Sequence, residues 1–412
     1  MRRVALFGYL GSGNIGNDAT FETVLAWLRS TQPDVEVRCI TIAPEEIIAR
    51  YGVPSVPLAW HSSRRGSNRL MRALRKMSGR LLDVPRSFAL AGSVDAVIVP
   101  GMGVLEKNLR VGRLWGLPSW QFLIAVACRV RGRRFVLLDV GAERATNPLT
   151  RGLHVVTAEL ASHVSYRDSL SAVAMRRAGA RAPELVAPDL VFAHPAPTRA
   201  EPEPGLLVVG VMAYYGPKDN AIRGANVLRR YVATMASALA RFTDAGDRLV
   251  LVGGDRVDVD IARDVRAAVL AMRPRLPHDV VVVREFTTFA ELTEQMMRAE
   301  VVIASRFHNL ICALRLARPT ISVGYARKSR HLMETLGLGS YCQDIEHLNA
   351  DELVAQVLAA RNAAWELANR IRLGTASYAA EVESLLERVA TEALGLAAWP
   401  SRPSRMKDEI EA

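Results

Sequence analysis

Ser305-Arg306-Phe307-His308-Asn309 follows directly on the apolar run Val301-Val302-Ile303-Ala304. Such a run reads as a buried parallel strand, and 310–316 reads as the helix after it. Arg306 and His308 are therefore expected in a tight turn between a strand's carboxyl end and a helix's amino end. Free backbone N–H groups and the helix dipole favour an anion at such a place. A fixed guanidinium beside a titratable imidazole suits an anionic substrate that must also be protonated. On its own the pair would serve equally well as surface decoration, so the other loops decide.

The first loop, 8–18, carries Gly11-x-Gly13-x-x-Gly16, the pattern of a dinucleotide site. No acid closes the second strand, which ends Thr41-Ile42-Ala43-Pro44, and this argues against a nicotinamide or flavin. A sugar or phosphate cradle of Gly11, Gly13, Asn14, Gly16 and Asp18 is preferred to glycines that only let a strand meet a helix. Gly101 and Gly103 end another strand and let backbone approach a ligand. Arg167 either faces a cleft or pairs locally, while Asp168 caps the next helix. Gly254 and the segment Gly324-Tyr325-Ala326-Arg327-Lys328 again put glycine and charge just past strand ends. HExxH, GxSxG and Walker patterns are absent from the sequence, and no metal set is expected.

These loops need a scaffold, and the chain supplies one by alternation. Strand-like runs at 4–7, 35–42, 96–99 and 135–140 are separated by helical stretches such as 19–28 and 118–130. After 194–205, with its four prolines, the alternation restarts at 206–212, 249–252, 280–283, 301–304 and 320–323. The expected class is α/β, with two doubly wound Rossmann-like domains facing a cleft. The domains are placed at 1–193 and 206–345, joined by the linker 194–205. Helices at 351–371 and 378–394 fill most of 346–398, and 399–412 is a tail.

Of the 412 residues half are apolar, enough for two cores, and the net charge is +11. That balance implies an acidic partner: nucleic acid, anionic lipid or a phosphorylated substrate. The four cysteines are scattered, as expected of buried thiols in a reducing compartment. Residues 61–80 hold seven Arg and Lys and no acid. They read either as a solvated basic helix or as a segment held to anionic lipid. Few aromatics and the lack of a nucleic-acid motif disfavour nucleic acid. No segment reaches the ~20 apolar residues that span a bilayer. The expectation is a cytoplasmic protein, at most peripheral at the inner face of the membrane.

Together the loops resemble the polysaccharide pyruvyl transferase family. Its opening motif is similar to 11–18, its glycine-rich strand end to Gly101-Met102-Gly103, and its Arg-Asp-x-x-Ser motif to Arg167, Asp168 and Ser171. Its Pro-Asp resembles Pro188-Asp189. The most specific likeness runs from Ala304-Ser305-Arg306-Phe307-His308 through Ala317-Arg318-Pro319-Thr320-Ile321 to Gly324-Tyr325 and Lys328. The resemblance implies a GT-B-like fold with the acceptor on the N-terminal domain and phosphoenolpyruvate on the C-terminal one. It implies transfer of pyruvate as a ketal to a sugar of a polysaccharide or lipid-linked glycan, with no organic cofactor. Arg306 and His308 match the family's phosphoenolpyruvate-binding pair and are the candidate catalytic residues. Ser305, Phe307, Asn309, Tyr325 and Lys328 are expected to bind substrate beside them. Tyr214 stands where the family often has an arginine, so Lys218, Arg223 or Lys328 is expected to complete the anion site. The alternatives are a GT-B glycosyltransferase using a nucleotide sugar and a non-catalytic anion-binding protein of the same fold.

Overall fold

A computed structural model describes residues 2–60, 69–106, 109, 115–183, 185–195, 201–216 and 221–396. In the first half, β1 (Arg2–Gly8), α1 (Ile15–Thr31), β2 (Val35–Thr41), α2 (Pro44–Tyr51) and β3 (Ser55–Pro57) lead into α3 (Arg69–Gly92). Then come β4 (Ala96–Pro100), α4 (Leu117–Val130), β5 (Arg134–Val140), α5 (Pro148–Leu160), β6 (His163–Tyr166), α6 (Ser169–Ala178) and β7 (Leu185–Val186). The strands form one parallel sheet in the order β3-β2-β1-β4-β5-β6-β7. Its central strands are buried along nearly their whole length, which is why they read as unbroken apolar runs.

The second half repeats the plan. It contains β8 (Leu206–Gly210), α7 (Ala221–Asp244), β9 (Arg248–Val252), α8 (Asp258–Met272), β10 (Val281–Arg284) and α9 (Phe289–Met297). It continues with β11 (Val301–Ala304), α10 (Phe307–Arg315), β12 (Thr320–Gly324), α11 (Arg327–Thr335) and β13 (Cys342–Asp344). The order is β10-β9-β8-β11-β12-β13, again all parallel. In each sheet the chain reverses its direction of travel once, between β1 and β4 and between β8 and β11. Loops part at such a switch point and leave a crevice at the carboxyl ends of the strands.

Two helices differ from the sequence reading. Helix α1 starts at Ile15, because the Asn14 side chain accepts the Asn17 N–H at 3.1 Å and caps it there. Gly16 and Asp18 therefore belong to the first turn of a helix and not to a loop. The C-terminal pair, α12 (Ala350–Asn362) and α13 (Ala364–Arg388), breaks at Ala363 and not near residue 375. Gly374 stays inside α13 because it packs tightly, a Cβ there falling 2.4 Å from Leu336 Cδ2.

Helix α13 also joins the halves. Leu367 and Ile371 lie in the C-terminal core, while Val382, Leu385 and Leu386, with Val389 just past the helix end, complete the N-terminal one. Conversely, Ile15 and Ala19 of α1 are buried in the C-terminal core. Of the basic run, 61–68 falls outside the described residues, as do 196–200 of the linker, 397–398 and the tail 399–412. Among the described residues no helix is long and apolar enough to cross a membrane.

Candidate active site

The loops of both switch points converge on one cavity of about 240 Å³. The N-terminal domain lines it with Asn14, Gly16, Gly103 and Arg167, and the C-terminal domain with Gly254, Ser305 to Asn309, Tyr325 and Lys328. Backbone and side chains both close the seam: Ile15 N–H donates to Gly254 O at 3.1 Å, and the Asn14 side chain donates through Nδ2 to Asp255 Oδ2 at 3.0 Å.

Arg306 caps α10 in an extended conformation and turns its guanidinium back onto Asp258, the first residue of α8. Nε donates to Oδ2 at 2.9 Å and Nη2 to Oδ1 at 2.6 Å. The fully buried Asp258 also accepts the N–H groups of Ala213 and Gly254, at 2.9 and 3.0 Å. Burial works against the charge on Arg306, but Asp258 outweighs it and holds the guanidinium above its ordinary range. Arg306 is thus fixed along one edge of its fork.

Arg167 is more deeply buried and stands among acids. Nη2 donates to Glu106 Oε1, Nη1 donates to Gly101 O at 3.3 Å, and Nη1 lies 3.7 Å from Asp189 Oδ2. Lys328 Nζ reaches the same Glu106 oxygen at 3.5 Å. Burial first, and then the Arg167 charge, hold the Lys328 amine below its ordinary range. Both cations flank the Phe307 ring, at 5.7 Å for Arg167 and 5.0 Å for Lys328.

His308 sits in the first turn of α10, its Nε2 3.6 Å from Asp189 Oδ2. Its ring lies against Gly16, where a Cβ would come within 2.0 Å of Nδ1. Only a residue without a side chain lets α1 approach the imidazole so closely. Ser305 Oγ meets Tyr231 OH at 3.2 Å, and Asn309 Nδ2 donates to Gly253 O at 3.5 Å.

Several expected ligand residues build the site without lining it. Gly11 and Gly13 adopt left-handed φ values of 68° and 84° to turn the first loop. Asp18 accepts the Gly11 N–H at 2.7 Å and is buried, with burial raising its carboxyl to about 6. Its role is to pin that loop. Gly101 is enclosed by Thr20 and Leu190 and offers only its carbonyl to Arg167. Tyr214 stands behind Tyr325, the rings stacked 4.7 Å apart, and donates to Glu346 Oε1 at 2.6 Å. A hydroxyl already donated to a carboxylate is not an anion ligand. Lys218 and the Arg223 side chain lie outside the described residues.

Polar residues beyond the expected set complete the site, among them Asn17 and Glu106, which line the cavity, Asp258, which holds Arg306, and Asp189, which faces His308. Each lies in or close to a motif that the sequence marks at a neighbouring residue. Among the described residues no group of three or more His, Cys, Asp or Glu is placed to hold a metal ion.

A family model described as polysaccharide pyruvyl transferase matches residues 14–327. Among solved structures, the chain is similar to a UDP-GlcNAc 2-epimerase from Neisseria meningitidis bound to UDP-GlcNAc. The TM-score is 0.59 at 8% identity, covering 95% of this chain and 100% of that one. A glycosyltransferase from Rickettsia africae gives 0.57 at 12% identity, over 95% and 98% of the two chains. MurG from Acinetobacter baumannii gives 0.50 at 11%, over 93% and 100%. At such identities the likeness establishes the fold, a two-domain GT-B arrangement.

Proposed function

This chain belongs to the polysaccharide pyruvyl transferase family, and from that premise we propose that it moves pyruvate from phosphoenolpyruvate to two hydroxyls of a sugar, closing a ketal and releasing phosphate. One observation carries the reading: Arg167, Arg306, Lys328 and His308 all line a single cavity where the two domains meet. A donor with a carboxylate and a phosphate of about −1.5 to −2 charge needs such a concentration of cations. Arg306, held by Asp258, presents its remaining N–H groups from a fixed frame. The acceptor, a sugar of a polysaccharide or lipid-linked glycan, enters from the N-terminal domain.

His308 then moves every proton. It gives one to the donor's methylene carbon, which leaves the adjacent carbon electrophilic, and recovers one as the first hydroxyl adds there. It gives a second to the departing phosphate and recovers it from the hydroxyl that closes the ring. Two protons given and two recovered close the balance, and no electrons change hands.

Ligand-induced stabilisation tests the donor. Phosphoenolpyruvate at about 100 times its Kd should stabilise the protein by about 2.7 kcal/mol, whereas UDP-N-acetylglucosamine should not. Arg306→Ala should weaken phosphoenolpyruvate by roughly 2–4 kcal/mol in calorimetry on the folded variant. Stabilisation by the nucleotide sugar alone would replace this reading with a glycosyltransferase.

The contact between Gly16 and His308 gives a second test. Gly16→Ala pushes the imidazole away by about the width of a bond, and a misplacement of ~1 Å costs on the order of 100-fold in turnover. Phosphate release should fall by that factor, while the overpacking, about 1–3 kcal/mol, lowers the melting temperature by about 2–12 °C and leaves the protein folded at the assay temperature. Wild-type turnover in Gly16→Ala would remove the ring from the chemistry.

A further inference from the structure

We propose that Asp189 is the positioning residue for His308: it holds the Nε2–H, so that Nδ1 is the nitrogen that exchanges protons with the substrate. This rests on the reading of His308 as general acid and base. The two atoms concerned, His308 Nε2 and Asp189 Oδ2, are both enclosed and both lack a hydrogen-bond partner. They face each other across 3.6 Å. A small rotation of the ring brings them to the ~2.8 Å of a charge-assisted bond and satisfies both.

The remaining contacts of Asp189 leave that oxygen for the histidine. Oδ1 accepts the Val191 N–H at 3.1 Å and caps the 3-10 turn Leu190–Ala193. Arg167 Nη1 stands 3.7 Å from Oδ2 and is committed to Gly101 O. Behind it, the buried Asp139 accepts the Leu190 N–H at 2.9 Å. Burial and the neighbouring Asp189 push the Asp139 carboxyl well up, whereas Asp189 itself is held low, because His308 and Arg167 outweigh its own burial. An ionised carboxylate only accepts, so Nε2 must carry the hydrogen. Nδ1 lies on the other side of the ring, over Gly16 at the cavity wall.

The tautomer can be read without any substrate. Histidine-selective ¹⁵N labelling of the full chain, with His308→Gln to assign the signal, should show neutral His308 as the Nε2–H form. Asp189→Asn keeps the cap on Val191 but loses the charge. It should abolish the single-tautomer signature and lower kcat about 10–100-fold, with the KM for phosphoenolpyruvate within about threefold. An Nδ1–H tautomer in the wild type would overturn the proposal even if the variant did not fold. An unchanged tautomer and kcat in Asp189→Asn would overturn it too. If phosphoenolpyruvate proves not to bind, the functional reading fails while the tautomer still decides this one.

Discussion

His308→Gln is expected to bind phosphoenolpyruvate within about tenfold of wild type while turnover falls roughly 10²–10⁴-fold. Glutamine preserves a polar side chain against Gly16 but cannot take up and return a proton. The three cations that face the donor keep their own anchors and are untouched: Arg167 follows β6, Lys328 lies in the first turn of α11, and Arg306, although it caps the same α10, is held by Asp258. Binding and chemistry should therefore separate cleanly, with calorimetry reading the first and phosphate release the second. The loss should be severe without being total, since cations aimed at a departing phosphate act without the imidazole. Intact turnover would make His308 a binding residue and put the general acid elsewhere. Loss of binding in proportion to turnover would point to a collapsed site.

Asp258→Ala should have the largest effect on stability. Its carboxylate has no exposure and accepts four hydrogen bonds, two from Arg306 and one each from Ala213 and Gly254 N–H. Removing one partner of a buried ion pair costs about 3–5 kcal/mol, because the other charge is left without compensation. For a domain of this size, that lowers the melting temperature by about 6–20 °C. Donor binding should weaken as well, since Arg306 loses the frame that aims it. Asp258→Asn, which keeps acceptors and drops the charge, should fall between the two. Melting within about 1 °C of wild type would show that Arg306 finds an equivalent partner and that the clamp is not structural.

The parts of the site that the sequence disclosed are those made within one strand, turn and helix. Val301 to Arg315 is a continuous stretch, so the position of Arg306 and His308 follows from local pattern. Partners drawn in by the fold left no such trace. Asp258 lies 48 residues from Arg306, and Glu106 lies 61 from Arg167. A carboxylate inside a cationic pocket also runs against the expectation that an anion site is uniformly basic. Gly11, Gly13 and Asp18 show the opposite failure. A loop that binds phosphate and a loop that merely turns use the same residues, because both need left-handed backbone and a capped helix. The place of Tyr214 after β8 suggests an anion ligand, and only the stacked Tyr325 and the bond to Glu346 reveal its use.

The crossing of α13 has a consequence for the order of events during synthesis. Strands β1 to β7 leave the ribosome first, yet their core lacks Val382, Leu385, Leu386 and Val389 until almost the last of the described chain has been made. An apolar groove on the nascent N-terminal half must wait, uncovered, through the translation of the whole second domain. The second domain likewise needs Ile15 and Ala19 from the half made before it. When α13 docks, Arg2 at the start of β1 donates to the carbonyls of Leu394 and Gly395. Early and late segments are thereby stitched together in one closing event. Expressed apart, the halves should each present the surface that the other was meant to cover, and an intervening chaperone would find its substrate there.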